Sequence, residues 1–158
     1  MKATEKKSNV LFSPKKLNLA KKNLELKTAE VELPELNEIM GLGDGETAIM
    51  IVRQLEFSEL VKVKTSVMDY ARNLVDGIVE SVSDKAKVKE SVAEIWGEMS
   101  PDTRERLDMV EIALVEPKMS RADIIYLSKM FPVAITKLYT KIVELTSGGA
   151  TLKKSSSG

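Results

Sequence analysis

The side chains that most often perform chemistry in proteins are scarce in this chain. The sequence contains no histidine and no cysteine. The usual proton-transfer group near neutral pH and the thiolate nucleophile are therefore both missing. Disulfides and zinc sites that need cysteine are excluded as well. Catalysis would have to depend on Asp, Glu, Lys, Ser, Thr or Tyr alone, and we expect no enzymatic activity, no metal and no cofactor.

A glycine-rich segment, GLGDG at 41–45, superficially resembles a phosphate-binding loop. No Lys-Ser or Lys-Thr pair follows it, and the spacing of its glycines does not match a dinucleotide-binding turn. Asp44 and Glu46 could contact a cation, but the segment is too short for a calcium-binding loop. We interpret it as a solvated turn.

Two pairs of acidic residues have the residue types for general acid–base catalysis. They are Glu98 with Asp102 and Glu111 with Glu116. Such catalysis needs one carboxyl group desolvated and the other ionised. Nothing in the sequence places either pair in a pocket, so we interpret them as charges on exposed helix faces and in first turns.

The first 27 residues carry eight lysines and two glutamates, a net charge of +6 in a chain whose total charge is zero. The remainder is therefore acidic, with a net charge of −6. Lysines could contact a polyanion, but only Phe12 is near enough to stack on bases. A solvated or partner-binding arm is the favoured interpretation. The candidate polyanion contacts are Lys15, Lys16, Lys21 and Lys22.

Two apolar segments with strand-like patterns follow the arm. Residues 24–33 alternate apolar and polar side chains, and residues 47–55 are rich in β-branched and apolar types. They predict a short β-hairpin. Ser13-Pro14 could begin a short basic helix before it, although about ten residues form a marginal helix in isolation.

Apolar side chains at helical spacing dominate the rest of the chain. They predict helices over 59–82, 88–99, 101–116, 120–131 and 132–147. Ser58, Ser100 and Ser120 are the predicted N-caps, and Gly148-Gly149 is the predicted end of the last helix. The expected fold is mainly α: a small bundle of about five helices preceded by the β-hairpin.

The predicted organisation is one domain over 24–149, between a flexible basic arm (1–23) and a flexible tail (150–158). No apolar run approaches the roughly 20 residues needed to cross a bilayer. We expect a protein of the cytoplasm with no membrane partner.

Apolar side chains cluster in the segment that forms the last two predicted helices. Most such side chains belong to a core, but part of this surface could bind a partner. The predicted partner-binding residues are Tyr126, Met130, Phe131, Tyr139, Ile142 and Leu145.

The order of these elements resembles the tail assembly chaperones of long-tailed bacteriophages, over residues 29–149. In that family an apolar strand followed by Arg, Leu and Glu-Leu opens a helical domain. A segment with Pro, an acidic residue and spaced Leu and Ile before Ser-Gly closes it. The opening is matched by Arg53, Leu55, Glu59 and Leu60. The closing is matched by Pro117, Asp123, Leu127, Ile142, Leu145 and Ser147-Gly148.

The resemblance implies a non-enzymatic protein of the host cytoplasm that binds the tape measure protein. It would keep that long helical polypeptide soluble and help recruit tail tube protein. Many members are made in two lengths by ribosomal frameshifting, and this chain would be the short form. Self-association and the longer form are left open.

Two alternatives belong to other classes. One is a nucleic-acid-associated helical module that uses the lysine-rich arm. The other is a minor structural protein retained in a phage particle. Nucleic acid is the less favoured partner.

Overall fold

The computed structural model describes residues 8–80 and 100–154, and in these ranges the fold is mainly α with small antiparallel sheets. This confirms the predicted fold class. The predicted helical stripe over 88–99 lies outside the described residues. The helices are α1 (Pro14–Ala20), α2 (Phe57–Glu80), α3 (Pro101–Ala113), α4 (Arg121–Met130) and α5 (Pro132–Gly148). The strands are β1 (Leu24–Glu25), β2 (Thr28–Glu32), β3 (Ile49–Arg53), β4 (Leu114–Glu116) and β5 (Thr151–Leu152).

The chain divides into two compact units. The larger is Leu26–Ala150, and the smaller joins Met1–Glu25 to Thr151–Gly158. In the smaller unit Ser13 accepts a hydrogen bond from the Lys16 amide and so caps α1.

The smaller unit also contains a short antiparallel pair, in which Leu24 of β1 lies opposite Leu152 of β5. The Lys153 amide donates to the Asn23 carbonyl at 2.7 Å. One continuous strand over 24–33 was therefore a wrong prediction, because the two ends of that segment pair with different partners. Two residues of the predicted flexible tail, Thr151 and Leu152, also form a strand.

The larger unit contains a three-stranded sheet of order β2-β3-β4. β2 and β3 are antiparallel partners, as the predicted β-hairpin requires. In their register Val31 lies opposite Met50. A connection that begins with a 3-10 turn (Pro34–Leu36) joins the two strands. Asn37 braces this connection, because its Oδ1 accepts from the Ala48 amide at 2.8 Å and its Nδ2 donates to the Glu46 carbonyl at 3.3 Å.

The third strand corrects the predicted helix over 101–116. α3 ends at Ala113, and Leu114–Glu116 pair with β3. Leu114 has extended backbone angles and is buried. Pro117 disfavours a helical conformation at Glu116, so the chain leaves the helix before the proline. The Glu116–Pro117 peptide bond is cis.

Serine hydroxyls begin α3 and α4 as predicted. Ser100 accepts from the Thr103 amide, and Ser120 accepts from the Asp123 amide. Ser58, by contrast, lies inside the first turn of α2, which begins at Phe57. The last helix ends at Gly148, and Gly149 follows with φ 70°, a left-handed angle that favours glycine.

The core of the larger unit lies between the inner face of the sheet and helices α2 to α5. It is aliphatic, as the scarcity of aromatic residues predicts. The most completely buried side chains are Leu33, Val52, Leu107, Val110, Leu114, Ile124, Leu138 and Ile142. The one buried polar side chain among the described residues is Gln54. Its Oε1 accepts from the Lys27 amide at 2.9 Å.

Candidate interaction surfaces

Arg53 forms the structural junction between the sheet and two helices. Its guanidinium donates to both carboxylate oxygens of Glu59, each at 2.7 Å, in a bidentate pair. It also donates to the Ile112 carbonyl at 3.2 Å, in the last turn of α3. A cation at a helix C-terminus is favourable, because the last carbonyl groups carry partial negative charge. The sequence left the role of Arg53 undecided, and the structure assigns it to this junction.

The carboxylate of Glu59 also caps the N-terminus of α2. Glu59 Oε1 accepts from the Glu56 amide at 3.0 Å, as a glutamate in a capping box does. The hydrogen bond from Arg53 is the main cause that lowers the pKa of Glu59, while partial burial opposes it. The pKa of Arg53 is raised by the same bond. Glu59 is therefore held as the anion that both partners require.

The segments at the two ends of the helical domain meet directly. The Leu55 amide donates to the Thr146 hydroxyl at 3.0 Å, across 91 residues of sequence. The Thr146 hydroxyl in turn donates to the Ile142 carbonyl at 2.6 Å. The segment after β3 and the end of α5 are therefore parts of one packed structure.

The three described acidic residues among those considered for catalysis lie in separate surroundings. Glu111 pairs with Arg121, whose guanidinium lies 2.6 Å from Glu111 Oε2, while Glu116 lies exposed in β4. Glu98 lies outside the described residues. Asp102 is exposed in the first turn of α3, as predicted.

The glycine-rich segment is a turn. Gly41 and Gly45 have positive φ angles of 63° and 82°. The Gly43 amide donates to the Glu46 carboxylate at 3.0 Å. Across residues 8–80 and 100–154, no three acidic side chains lie close enough to hold a metal ion together.

The six predicted partner-binding residues separate into three groups. Ile142 is fully buried, so its prediction as a contact residue was wrong: it faces the core from the inner side of α5. Phe131, Tyr139 and Leu145 are half-buried and pack against the core. Only two of the six are largely exposed, Tyr126 at 64% and Met130 at 58%.

These two side chains form what we call the α4 strip. Tyr126 and Met130 are four residues apart on α4 and therefore lie on one face of the helix. An exposed tyrosine beside a methionine is typical of adaptable binding surfaces.

A second exposed apolar surface, the α2 strip, was not predicted. It consists of Phe57, Val61 and Met68, which are exposed by 81%, 46% and 63%. At about 100° per residue these positions fall within a narrow arc of the helix. The longer core-facing stripe of the same helix dominates its periodicity, although the spacing of four and seven residues between the members of the α2 strip is visible in the sequence.

A third surface is an open groove of about 590 Å³ between β2 and α5, which we call the edge groove. Glu30, Val31 and Glu32 form its strand side. The helix side is one face of α5, formed by Pro132, Val133, Thr136, Lys137, Thr140, Lys141 and Glu144. The sequence does not predict this groove, because no local pattern shows which strand is at the edge of a sheet.

The four lysines considered for polyanion contacts lie in the smaller unit. Lys15 and Lys16 are in α1, and Lys21 and Lys22 are in the turn that follows it. All four are exposed. The four lysines place positive charge in one short segment, and α1 contains no aromatic side chain that could stack on a base.

No helix in the described part of the chain has the length and apolar composition required to cross a lipid bilayer.

Comparison of the chain with models of protein families, with curated proteins and with solved structures found no match.

Proposed function

We propose that this protein is a tail assembly chaperone of a long-tailed bacteriophage, in the short form that arises without frameshifting. It binds the tape measure protein in the host cytoplasm, keeps it soluble and helps recruit tail tube protein, without enzymatic activity. The observation that carries this proposal is the α4 strip. Its two exposed apolar side chains lie inside the closing segment of the resemblance.

The arrangement of the matched segments supports the same proposal. The opening segment contributes the bidentate Arg53–Glu59 pair, and its Leu55 amide binds Thr146 of the closing segment. Residues shared with a family for a structural reason should occupy such junctions. A chaperone of this kind also needs no histidine, cysteine or metal, because contact alone performs its function.

The physical basis is recognition of one amphipathic helix by another. A tape measure protein exposes apolar stripes along a very long helix, and these stripes aggregate when they are unpaired. The α4 strip offers two anchors four residues apart, which matches the spacing of apolar side chains on a client helix. Charged surfaces elsewhere keep the complex soluble.

Co-expression tests the proposal. The tape measure protein from the same genome is produced with the chain and without it, and the soluble fraction is measured. We expect the chain to raise soluble tape measure protein strongly, and Tyr126→Asp to remove most of that effect. Thr47→Asp is the matched control, because Thr47 is exposed in the connection between β2 and β3, outside both strips and the edge groove, and receives the same charge.

Circular dichroism shows whether each variant is folded. If the unchanged chain leaves the tape measure protein insoluble, the chaperone proposal is contradicted. If the Tyr126→Asp variant is folded and raises soluble tape measure protein as much as the unchanged chain does, the α4 strip is excluded as the client site. Phe57→Asp then tests the α2 strip in the same experiment.

A further inference from the structure

Among the described strands, β2 lies at the edge of the three-stranded sheet and pairs with β3 alone. The Leu33 amide donates to the Ala48 carbonyl, and the Gln54 amide donates to the Lys27 carbonyl. Since hydrogen-bonding direction alternates along an antiparallel strand, odd-numbered residues of β2 bind β3. The amides and carbonyls of Glu30 and Glu32 therefore point away from β3, toward the edge groove.

The helix wall of the groove leaves room for another strand. Val133, Thr136 and Thr140 are small, exposed side chains on the face of α5 that lines the groove. Residues 133–144, the part of α5 that supplies these side chains, span about 17 Å at about 1.5 Å per residue. That length matches about five residues of extended chain, at about 3.3 Å each.

The charges of the groove are unequally satisfied. Lys137 lies 3.0 Å from Glu35, and Lys141 lies 3.5 Å from Glu144, so both lysines of the helix wall have acidic partners. Glu30 and Glu32 are exposed, and within the described residues neither forms an ion pair. On the strand side, the two residues whose carboxylates form no ion pair are therefore the same two whose amides and carbonyls point away from β3.

We propose that the edge groove binds an extended peptide segment by strand addition to β2. The peptide alternates basic residues with small apolar residues and lies antiparallel to β2. Its basic side chains lie opposite Glu30 and Glu32, while its apolar side chains face Val133, Thr136 and Thr140. Backbone hydrogen bonds provide affinity, and the alternating side chains provide specificity.

A second copy of this chain is a poorer occupant. If two β2 strands paired across a two-fold axis, the glutamates of one strand would lie beside those of the other. Like charges directly opposite one another destabilise a strand pair. The two carboxylates thus select against self-pairing at this edge and in favour of a basic strand.

Capped peptides of alternating valine and lysine test the proposal on the full-length chain. In one peptide the lysine amides are N-methylated, and in the other the valine amides are. A residue directly opposite Glu30 or Glu32 in an antiparallel pair shares its face and exchanges both hydrogen bonds with it. We therefore expect lysine methylation to weaken binding about tenfold or more, because at least two hydrogen bonds are lost. We expect valine methylation to leave affinity unchanged.

Two further measurements separate strand addition from attraction between opposite charges. Amide hydrogen exchange at Glu30 and Glu32 should slow when the peptide binds, while that at Val31 should not change. The Glu30→Lys/Glu32→Lys variant should lose the valine–lysine peptide and bind a valine–glutamate peptide instead.

Equal affinity of the two methylated peptides, unchanged exchange at Glu30 and Glu32, or absence of binding by the parent peptide would each overturn the proposal. So would weaker binding by the valine-methylated peptide alone. The peptides are synthetic, so the result is independent of whether the chain is a tail assembly chaperone.

Discussion

The ion pair between Arg53 and Glu59 joins three elements of the fold: β3, α2 and α3. One guanidinium reaches the carboxylate of Glu59, the carbonyl of Gln54 and the carbonyl of Ile112. Both side chains are about three-quarters buried, so solvent screens their interaction less than at an open surface. The pair holds the sheet, the start of α2 and the end of α3 in one arrangement.

We expect Arg53→Lys to lower the free energy of unfolding by about 1–3 kcal/mol at neutral pH. Lysine keeps the charge but cannot form the bidentate pair and also reach Ile112. Urea denaturation followed by circular dichroism measures the change. An unchanged unfolding midpoint would show that the pair is incidental to stability.

The pH dependence of the same pair has a definite sign. The pKa of Glu59 is lowered in the folded chain from its ordinary value of 4.5, chiefly by the bond from Arg53. The unfolded chain then binds more protons near this pH, so stability from Glu59 is present above pH 4.5 and is lost as the pH falls through the folded pKa. Glu59→Gln should therefore be less stable than the unchanged chain at pH 6, and the difference should shrink below pH 4.5. Glu38→Gln, at an exposed position, is the control.

At the scale of elements, the two compact units differ in what stabilises them. Every buried apolar side chain among the described residues lies between Val31 and Ile142, inside Leu26–Ala150. The smaller unit contains α1, a short turn and a two-residue strand pair, and none of its described side chains is buried. The larger unit therefore contains the elements needed for independent folding.

A chain restricted to residues 26–150 should unfold within about 3 °C of the full-length chain, because terminal segments without buried side chains add little stability. Thermal denaturation followed by circular dichroism measures the difference. A loss greater than about 5 °C would show that the smaller unit stabilises the larger one.

At the scale of the whole molecule, the distribution of charge along the chain determines how it interacts with polyanions such as nucleic acid. The chain has no net charge, yet the first 27 residues carry +6 and the remainder carries −6. The acidic remainder repels a polyanion that the basic segment attracts. This balance disfavours general binding of nucleic acid.

We expect retention on immobilised DNA only at low salt, with release at or below about 0.15 M, because a few phosphate contacts are strongly salt-dependent. Changing Lys15, Lys16, Lys21 and Lys22 to Gln should remove the low-salt retention. The double variant Lys118→Gln/Lys129→Gln, on exposed positions outside that segment, is the control. Retention at physiological salt that the four-lysine variant abolishes would instead favour the nucleic-acid-associated alternative.

Much of the local structure was predictable because it depends on neighbours in sequence. Serines at 100 and 120 begin helices through bonds to amides three residues on, and Gly149 follows the end of the last helix with a left-handed backbone. The β-branched and apolar composition of residues 47–55 located β3, and helical spacing located the described helices of the larger unit. The absence of histidine and cysteine, which is a property of the sequence alone, limits the side chains that could act as proton-transfer groups or nucleophiles.

Tertiary structure alone decided the features that join distant residues. Arg53 meets a carbonyl 59 residues away, and Leu55 meets a hydroxyl 91 residues away. Ile142 and Met130 are both apolar helical residues, but packing buries the first and leaves the second exposed. The edge position of β2 depends on which strands pair, and so does the orientation of the Glu30 and Glu32 amides. Periodicity identifies the apolar face of an element, but only its long-range neighbours determine whether that face, or a strand's edge, remains open to a partner.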